Sequence, residues 1–435
     1  MQLVAIVGRP NVGKSTLFNK LCGKRLSIVD DTPGVTRDRI YGKCEWLNRE
    51  FTLIDTGGIE PKSDDTILAQ MREQAMLAID SADCIIFVTD MTTGVTANDA
   101  EVAAMLMKSG KPVVLAVNKD DNIGAPPPEF YEFYNLGLGD PISVSAVHGH
   151  GTGDLLEAVF KNLPPEEPDD YDENAIKVAV IGKPNVGKSS ITNALLGQDR
   201  VIVSDIAGTT RDSIDTPFQA EGKNYVAIDT AGLNKRGKIF ESIDKYAAIR
   251  SLAAIDRSQV AVVVLDASTG ILDQDRHVSG YALEARKGIV VVVNKWDLAP
   301  KGLEQGEFEA EIKSRFKFLD FAEIIFVSAK TGKGIDKILP AIERAYEGCN
   351  RRIPTSILNQ IIQDAQMMNP TPEFNHGRLK ILFSNQVGIN PPTFVMFCNN
   401  PAFAHFSYTR YLENRLRESF DFTGTPISIV YRMRK

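Results

Sequence analysis

The sequence predicts an α/β protein with two tandem domains, each a doubly wound and mostly parallel sheet, followed by a small α+β domain. The first observation is a repeat: GRPNVGKS at residues 8–15 returns as GKPNVGKS at residues 182–189, 174 positions later. Two later pairs keep this spacing, Thr36 with Thr210 and Asp55 with Asp229, so a whole domain is repeated. The second observation is length, because 435 residues leave room for about three domains with separate cores.

The first domain, residues 1–163, alternates short apolar runs with stretches of helical length and composition. The runs are rich in Val and Ile, which is typical of strands buried on both faces of a parallel sheet. This alternation predicts a doubly wound domain that binds its ligand at the carboxyl ends of the strands. We expect strands at 4–7, 51–55, 84–90, 112–118 and 141–145, and helices at 66–80 and 97–108.

Residues 164–174, PPEEPDDYDEN, separate the two repeats and contain three prolines and six acidic residues. Such a segment cannot bury apolar surface, so we expect a solvated linker. The strand pattern then restarts in a second domain, residues 175–348. Its expected strands are 178–182, 225–229, 260–266, 289–295 and 324–330.

Residues 349–435 follow a different order, which predicts helices packed on one small sheet. A helix is expected to start at Pro354, because proline is favoured at the start of a helix. The other expected elements are strands at 379–383 and 393–399, a helix at 408–420 and a strand at 425–433.

Charge is unevenly distributed. Residues 350–435 carry ten Lys and Arg and five Asp and Glu, a surplus of +5, so the rest of the chain carries −12 of the total of −7. A basic tail on an acidic body suggests that the tail contacts a polyanion, and the alternative is an ordinary solvated surface.

Composition indicates a soluble protein of the cytoplasm. The opening MQLVAIVG lacks the basic flank of a signal peptide, and no apolar run approaches the roughly 20 residues of a membrane span, so no membrane insertion is expected. The five cysteines form no CxxC motif and are odd in number, which favours reduced thiols.

The repeated loop fits the pattern GxxxxGK[ST] between a strand and a helix, known as a P-loop. Its backbone N–H groups and the helix N-terminus bind phosphates, the lysine reaches the β and γ phosphates, and the serine offers a hydroxyl to Mg²⁺. The expected phosphate-binding residues are Gly8, Gly13, Lys14, Ser15 and Thr16, and Gly182, Gly187, Lys188, Ser189 and Ser190.

The base is predicted by two NKxD motifs, each at the end of an apolar strand. A carboxylate at the fourth position can accept hydrogen bonds from guanine N1–H and N2–H₂, whereas adenine would leave it buried and unpaired. The lysine stem can cover the base plane. The expected guanine-binding residues are Asn118, Lys119, Asp121, Ser145 and Ala146, and Asn294, Lys295, Asp297, Ser328 and Ala329.

Two further repeated motifs are expected to respond to the γ phosphate. Thr36 and Thr210 stand in TPGVTRD and IAGTTRD, where a threonine can complete Mg²⁺ coordination when triphosphate is bound. DTGG and DTAG supply an aspartate near Mg²⁺ and a glycine N–H for the γ phosphate. These last residues are Asp55 and Gly58, and Asp229 and Gly232, so the expected Mg²⁺ site residues are Ser15, Thr36, Asp55, Ser189, Thr210 and Asp229.

The water-orienting glutamine of Ras-like enzymes is replaced here by Ile59 and Leu233. Asn11 and Asn185 could instead help to hold a monovalent cation beside the phosphates, with a structural loop hydrogen bond as the alternative role. Arg37 and Arg211 are other candidates. The candidate catalytic residues are therefore Asn11, Lys14, Thr36, Asn185, Lys188 and Thr210.

With these motifs, the chain resembles the EngA/Der family of double GTPases, which act in assembly of the large bacterial ribosomal subunit. The resemblance covers essentially the whole chain: both loops, the paired TRD, DTGG/DTAG and NKxD motifs, the acidic linker and the basic tail. Residues 391–427, PPTFVMFCNNPAFAHFSYTRYLENRLRESFDFTGTPI, resemble that family's KH-like domain.

The resemblance implies an enzyme that binds GTP, GDP and Mg²⁺ and hydrolyses GTP slowly without a catalytic Gln, with stimulation by K⁺ near the loop asparagines. It also implies nucleotide-dependent binding to 50S ribosomal subunits or their precursors, through rRNA, and nucleotide-dependent docking of the first domain on the KH-like domain. We expect the free protein to be a monomer.

One feature departs from nucleic-acid-binding KH modules, which carry a GXXG loop: none occurs in residues 350–435. The tail then contacts RNA through Arg and Lys side chains, or packs one face on a GTPase domain. Five aromatic residues could stack on bases, but core packing is the favoured interpretation for Phe394, Phe397, Phe403, Phe406 and Tyr408. His148 and His150 are expected in an exposed loop rather than in a metal site.

Two other functions stay open. In a binding scaffold, one nucleotide would be held permanently or neither site would turn over; the missing Gln favours this, and the intact Lys, Ser, Thr and Asp argue against it. A tRNA-modifying GTPase would carry a cysteine near its C-terminus, and SIVYRMRK has none.

Overall fold

The computed structural model describes residues 2–23, 41–47, 49–58, 67–121, 124, 126–165, 174–198, 201–203, 215–229 and 251–434. The described residues form two compact units, one ending at residue 165 and the other starting at residue 174. The predicted linker lies largely outside the described residues. The fold class predicted from sequence, two doubly wound domains and a small α+β domain, is confirmed.

The first unit contains one sheet with the strand order β2-β3-β1-β4-β5-β6, in which all neighbours are parallel except β2 and β3. Its strands are β1 Leu3–Val7, β2 Tyr41–Trp46, β3 Arg49–Asp55, β4 Cys84–Asp90, β5 Val113–Asn118 and β6 Ile142–Ser143. Its helices are α1 Lys14–Cys22, α2 Ile67–Ser81, α3 Ala97–Lys108 and α4 Thr152–Asn162, with 3₁₀ turns at Thr56–Gly58 and Pro128–Leu136.

Helices cover both faces of this sheet. Val4 and Ile6 of β1 pack in one core with α1 and α4, and Ala5 and Val7 pack in the opposite core with α2 and α3. Successive strand residues point to opposite faces, so an uninterrupted apolar strand supplies both layers. The phosphate loop follows β1, which lies between β3 and β4, at the carboxyl ends where α/β sheets bind ligands.

The second domain repeats this design in a sheet ordered β13-β12-β11-β7-β10-β9-β8. Its strands are β7 Ile176–Ile181, β8 Val201–Val203, β9 Thr216–Ala220, β10 Lys223–Ile228, β11 Val260–Asp266, β12 Gly288–Asn294 and β13 Glu323–Phe326. Its helices are α5 Lys188–Leu196, α6 Asp273–Glu284, α7 Gln305–Arg315 and α8 Ile338–Asn350, and residues 251–257 are also helical. Short 3₁₀ turns lie at Trp296–Leu298, Lys317–Leu319 and Ile335–Lys337.

The tail domain, residues 351–434, has the predicted helix–strand–strand–helix–strand order, with one small extra hairpin. Its elements are α9 Thr355–Met368, the hairpin β14 Glu373–Phe374 and β15 Gly377–Arg378, β16 Ile381–Gly388, β17 Thr393–Cys398, a 3₁₀ turn Pro401–Phe403, α10 Phe406–Ser419 and β18 Ser428–Met433. β17 lies in the centre, antiparallel to β16 and parallel to β18. Leu358 and Ile362 of α9 and Leu412 and Leu416 of α10 pack with Phe394 in its core.

The tail domain belongs to the same compact unit as the second domain, and the main chain joins them. The N–H of Ile289, at the start of β12, donates to the carbonyl of Gly424 at 2.7 Å, and the N–H of Gly424 donates to the carbonyl of Phe321 at 2.8 Å. A Cβ on Gly424 would lie 2.7 Å from the Cβ of Ala345, so this close approach requires glycine.

Arg417 of α10 reinforces this junction. Its guanidinium lies 4.7 Å from the centre of the Phe321 ring and donates to the carbonyls of Phe422 and Thr425, at 2.8 Å each. The Thr425 hydroxyl in turn donates to the carbonyl of Ala345, at 3.2 Å. One side chain therefore holds the turn that enters the second domain.

Candidate nucleotide-binding sites

The two phosphate loops have closely similar backbones. Gly13 and Gly187, each just before a helix, have φ of 93° and 95°. A Cβ at either position would lie 2.3 Å from the Nδ2 atom of Asn118 or Asn294. The glycines of the sequence motif are thus needed both for the left-handed backbone and for close contact with the NKxD asparagine.

The loop lysines are held by backbone carbonyls of their own loops. Lys14 Nζ donates to the carbonyls of Gly8 and Arg9 at 2.7 and 2.8 Å, and Lys188 Nζ donates to the equivalent Gly182 and Lys183, both at 2.8 Å. Burial lowers the pKa of each lysine to about 8, and the nearby Asp55 carboxylate partly opposes this for Lys14. A phosphate anion would stabilise the charged form that burial disfavours.

Two of the predicted Mg²⁺-site residues of the first domain, Ser15 and Asp55, lie side by side. Ser15 Oγ donates to Oδ2 of Asp55 at 2.7 Å, and the N–H of Gly57 donates to Oδ1 of the same carboxylate at 2.9 Å. Asp55 is 2% exposed. A hydroxyl and a carboxylate are oxygen donors of the kind that Mg²⁺ prefers, so the residues present fit this ion.

The second domain places its aspartate differently. Asp229 follows β10 with a left-handed backbone, φ 58°, and its N–H donates to Oδ1 of Asp215 at 2.9 Å. The side chain of Asp215 is fully buried and paired with Arg257. The structure therefore holds this backbone through an ion pair next to a predicted metal-site residue.

The NKxD asparagines connect the three loops of each site. Asn118 Nδ2 donates to the carbonyl of Val12 at 2.7 Å, and its Oδ1 accepts from the N–H of Ala146 at 3.0 Å. In the second domain, Asn294 makes the same two bonds at 2.8 and 3.1 Å, to Val186 and Ala329. The Ser-Ala pairs, which are only a weak motif in the sequence, therefore lie beside the NKxD motif in both domains.

The NKxD lysines are paired with aspartates that sequence reasoning missed. Lys119 Nζ lies 2.7 Å from Oδ2 of Asp90, and Lys295 Nζ lies 2.6 Å from Oδ2 of Asp266. Burial raises the pKa of these two carboxyls, but hydrogen bonds from the lysine and from a neighbouring hydroxyl outweigh it and hold the pKa below its usual value. Both carboxylates therefore stay charged and hold the lysine stem in place.

The carboxylates expected to bind guanine are accessible. The side chain of Asp121 is 59% exposed and accepts a hydrogen bond from Ser145 Oγ at 2.6 Å. Asp297 is exposed as well, and Ser328 Oγ accepts from the N–H of Thr331 at 3.2 Å. A ligand can reach both carboxylates without rearrangement of a packed core.

Several predicted site residues fall outside the described residues: Thr36, Arg37, Thr210, Arg211 and Gly232, together with Ile59 and Leu233. Gly58 ends the 3₁₀ turn after β3, and Thr16, Ser189 and Ser190 lie in the first turns of α1 and α5. Asn11 and Asn185 have left-handed backbones, with φ of 65° and 64°. Asparagine tolerates this conformation well, so the backbone favours asparagine here whichever role its side chain has.

The predictions for the aromatic residues of the tail are partly correct. Phe394 and Tyr408 are buried in the tail core, as favoured, whereas Phe406 is 62% exposed, so its assignment to the core was wrong. Phe406 instead starts α10 at the surface, beside His405. Within the described ranges, no group of three or more His, Cys, Asp or Glu side chains that could hold a metal ion occurs, at His148 and His150 or elsewhere. All five cysteines are free and buried.

No helix in the described part of the chain is long and apolar enough to cross a membrane.

Comparison with known proteins places both sites in one family. Residues 3–119 and 177–295 match the family described as 50S ribosome-binding GTPase, and residues 352–432 match the KH-domain-like C-terminal domain of EngA bacterial GTPase enzymes. The proteins named GTPase Der from Geobacillus thermodenitrificans and from Geobacillus sp. are each 56% identical over 438 residues, covering 100% of this chain and 99% of theirs. The protein of the same name from Halalkalibacterium halodurans is 55% identical over 433 residues, covering 99% of both chains. With a duplicated guanine-nucleotide site, a KH-like tail and this identity over its full length, the chain belongs to the GTPase Der (EngA) family.

Proposed function

We propose that this GTPase acts as a two-site switch in maturation of the 50S ribosomal subunit, and that its nucleotide state sets how the first domain docks on the KH-like tail. The observation that carries the proposal is the duplication of a full set of phosphate and guanine contacts. Lys14 with Asn118 and Lys188 with Asn294 occupy equivalent hydrogen-bonded positions. In the sequence, both domains keep the P-loop lysine and serine, the TRD-motif threonine and the NKxD aspartate.

Different residues of each site would bind the guanine base, the phosphates and Mg²⁺. Asp121 and Asp297 would accept the guanine N–H groups, and the loop lysines would neutralise the β and γ phosphates. In the first site, Ser15 and Asp55 would hold Mg²⁺, which would supply positive charge next to the phosphate oxygens. With Ile59 and Leu233 in place of a glutamine, the chain itself offers no water-orienting side chain at that position, so intrinsic hydrolysis is expected to be slow.

We infer that K⁺ near Asn11 and Asn185 compensates for the missing glutamine. The test compares GTP hydrolysis in KCl and NaCl at equal ionic strength, for the unmodified chain and for Asn11→Ala and Asn185→Ala. Faster turnover in K⁺ that is reduced by the asparagine substitutions supports the inference. Equal rates in both salts would reject it, and a rate that rises only with 50S subunits would indicate a ribosomal activator.

The tail is proposed to carry the contact with rRNA. Its +5 charge and the family description, 50S ribosome-binding GTPase, support this. Cosedimentation with 50S subunits should depend on whether GTP, GDP or a non-hydrolysable analogue is present, and should weaken with salt. Binding that is unaffected by nucleotide would contradict a switch.

A second candidate function is a scaffold in which nucleotide is held without turnover, and the missing glutamine is the observation in its favour. Hydrolysis measured separately in Lys14→Ala and Lys188→Ala decides: turnover by either remaining site removes the scaffold, and none under any condition, 50S subunits included, supports it. A cytoplasmic location and a monomeric state stay predictions.

A further inference from the structure

The second residue of each phosphate loop is a cation bound to a segment far away in sequence. In the first domain, Arg9 donates a hydrogen bond to the Thr93 hydroxyl, and its Nε atom lies 3.7 Å from Oδ1 of Asp99. The side chain of Arg9 is 15% exposed and that of Asp99 is 0% exposed. The phosphate loop is therefore attached to the start of α3 by a largely buried ion pair.

The second domain repeats this arrangement with a different cation. Lys183 Nζ lies 3.1 Å from Oγ1 of Thr269 and 3.1 Å from Oδ2 of Asp275. The two side chains of this pair are 8% and 0% exposed. Two domains that differ in the cation thus keep the same partners, which argues that the pairing and not the residue type matters.

The helix fixes each aspartate independently of the loop. Asp99 Oδ2 accepts from the N–H of Thr96 at 3.1 Å and from its hydroxyl at 2.7 Å, which closes the N-terminal cap of α3. Asp275 Oδ2 accepts from the N–H of Leu272 at 2.9 Å at the start of α6. Each carboxylate is thus held by the start of its own helix as well as by the phosphate-loop cation.

The same segments also hold the guanine-binding loops. These segments are residues 90–99 and 266–275. Each begins with the aspartate that pairs with the NKxD lysine, Asp90 or Asp266, and ends with the aspartate that pairs with the phosphate-loop cation. One short stretch of chain therefore contacts both loops that would bind one nucleotide.

We propose that Arg9–Asp99 and Lys183–Asp275 are positioning pairs that fix the phosphate loop relative to the guanine loop, so that they govern recognition of the phosphates more than of the base. The inference rests on the proposed nucleotide binding at both sites. A guanine nucleotide bridges two loops, and its affinity depends on their spacing being set before binding. Loss of the cation would free the phosphate loop and leave a buried carboxylate unpaired.

The test uses the full chain with only the second site active, through Lys14→Ala, and adds either Lys183→Met or Lys183→Arg. The arginine variant places in the second domain the cation that the first domain uses, so it is a matched control. The Kd values of GMP and GDP are measured by competition with a fluorescent guanine nucleotide. The ratio of the two Kd values reports the contribution of the β phosphate alone.

We expect Lys183→Met to reduce the GMP-to-GDP ratio of Kd values about tenfold or more, which corresponds to about 1.4 kcal/mol, and Lys183→Arg to restore it. If both Kd values rise by the same factor, the pair has only a general structural role and the inference is wrong. Should the methionine variant fail to fold, the isosteric Asp275→Asn serves instead. No GDP binding by the unmodified chain would overturn the proposed function itself.

Discussion

Lys14 is buried and Lys188 is half-buried, and the hydrogen-bond partners of both are neutral carbonyl oxygens. Each would gain a far stronger partner from a phosphate. Because burial lowers the pKa of both to about 8, their charge depends on pH near neutrality, unlike that of an ordinary lysine. The chemistry of phosphate binding is therefore coupled to a proton at each site.

Nucleotide affinity should accordingly depend on pH in a defined direction. Bound phosphates raise the pKa of the lysine, so above pH of about 8 binding must take up a proton and affinity falls, whereas below it this lysine contributes no pH dependence. Calorimetry of GDP binding to Lys14→Ala and to Lys188→Ala, in buffers of different ionisation enthalpy, measures this uptake. The pH range of the measurement should end below the pH at which guanine loses its N1 proton. Affinity that is flat across pH 8 would contradict the lowered pKa.

Among the elements, α10 has an unusual double role, because it packs in the tail core through Leu412 and Leu416 and reaches the second domain through Arg417. Burial lowers the pKa of Arg417, although two nearby carboxylates oppose this. Two carbonyl groups and one aromatic face compensate the guanidinium for its lost hydration. Arg417 is therefore a specific contact between the tail and the second domain.

Arg417→Met should destabilise the unit that joins the second and tail domains by about 2–4 kcal/mol, because two carbonyls lose a charged donor. Arg410→Met, at an exposed position of the same helix, is the control and should change stability by less than about 0.5 kcal/mol. Thermal unfolding followed by circular dichroism measures both. Equal melting temperatures of the two variants would show that Arg417 does not stabilise the contact between the second and tail domains.

The elements also show what could be predicted from sequence. β4 and β11 have the predicted bounds, because fully buried strands are uninterrupted apolar runs. The antiparallel strands β2 and β9 were missed, since YGKCEW and TPFQA mix polar and apolar residues without a clear period. Local composition reveals the bounds of a strand most clearly where both of its faces are covered.

The same limit applied to the sites. Lys14 and Asp121 stand in short motifs with fixed spacing, so they could be predicted. The contacts of Asp90 with Lys119 and of Asp99 with Arg9 join residues about 30 and 90 positions apart, which spacing alone does not show. One signal was available: Asp266 and Asp275 stand at the same offset from these two as the second NKxD motif does from the first.

At the scale of the whole molecule, three sequence domains form two compact units. The second domain and the tail share main-chain hydrogen bonds and the half-buried Arg417, so they should unfold together. The first domain has its own two-layered core and should unfold as a separate unit.

Differential scanning calorimetry should therefore show two transitions rather than three. GDP at about 100 times its Kd should stabilise each unit that binds it by about 2.7 kcal/mol. Lys14→Ala should remove the shift of one transition, and Lys188→Ala the shift of the other. Three transitions, or the loss of both shifts in one variant, would contradict this division.

The hydrogen bond between Ile289 and Gly424 has a consequence for how such a gene can change. β12 begins at this contact with the tail and ends at Asn294, the asparagine of the guanine loop, so one strand serves both partners. Recombination that exchanged the tail alone would leave backbone groups at the base of that strand without partners and disturb an enzyme site in the same event. Natural shuffling should thus treat the last two domains as a single inherited part.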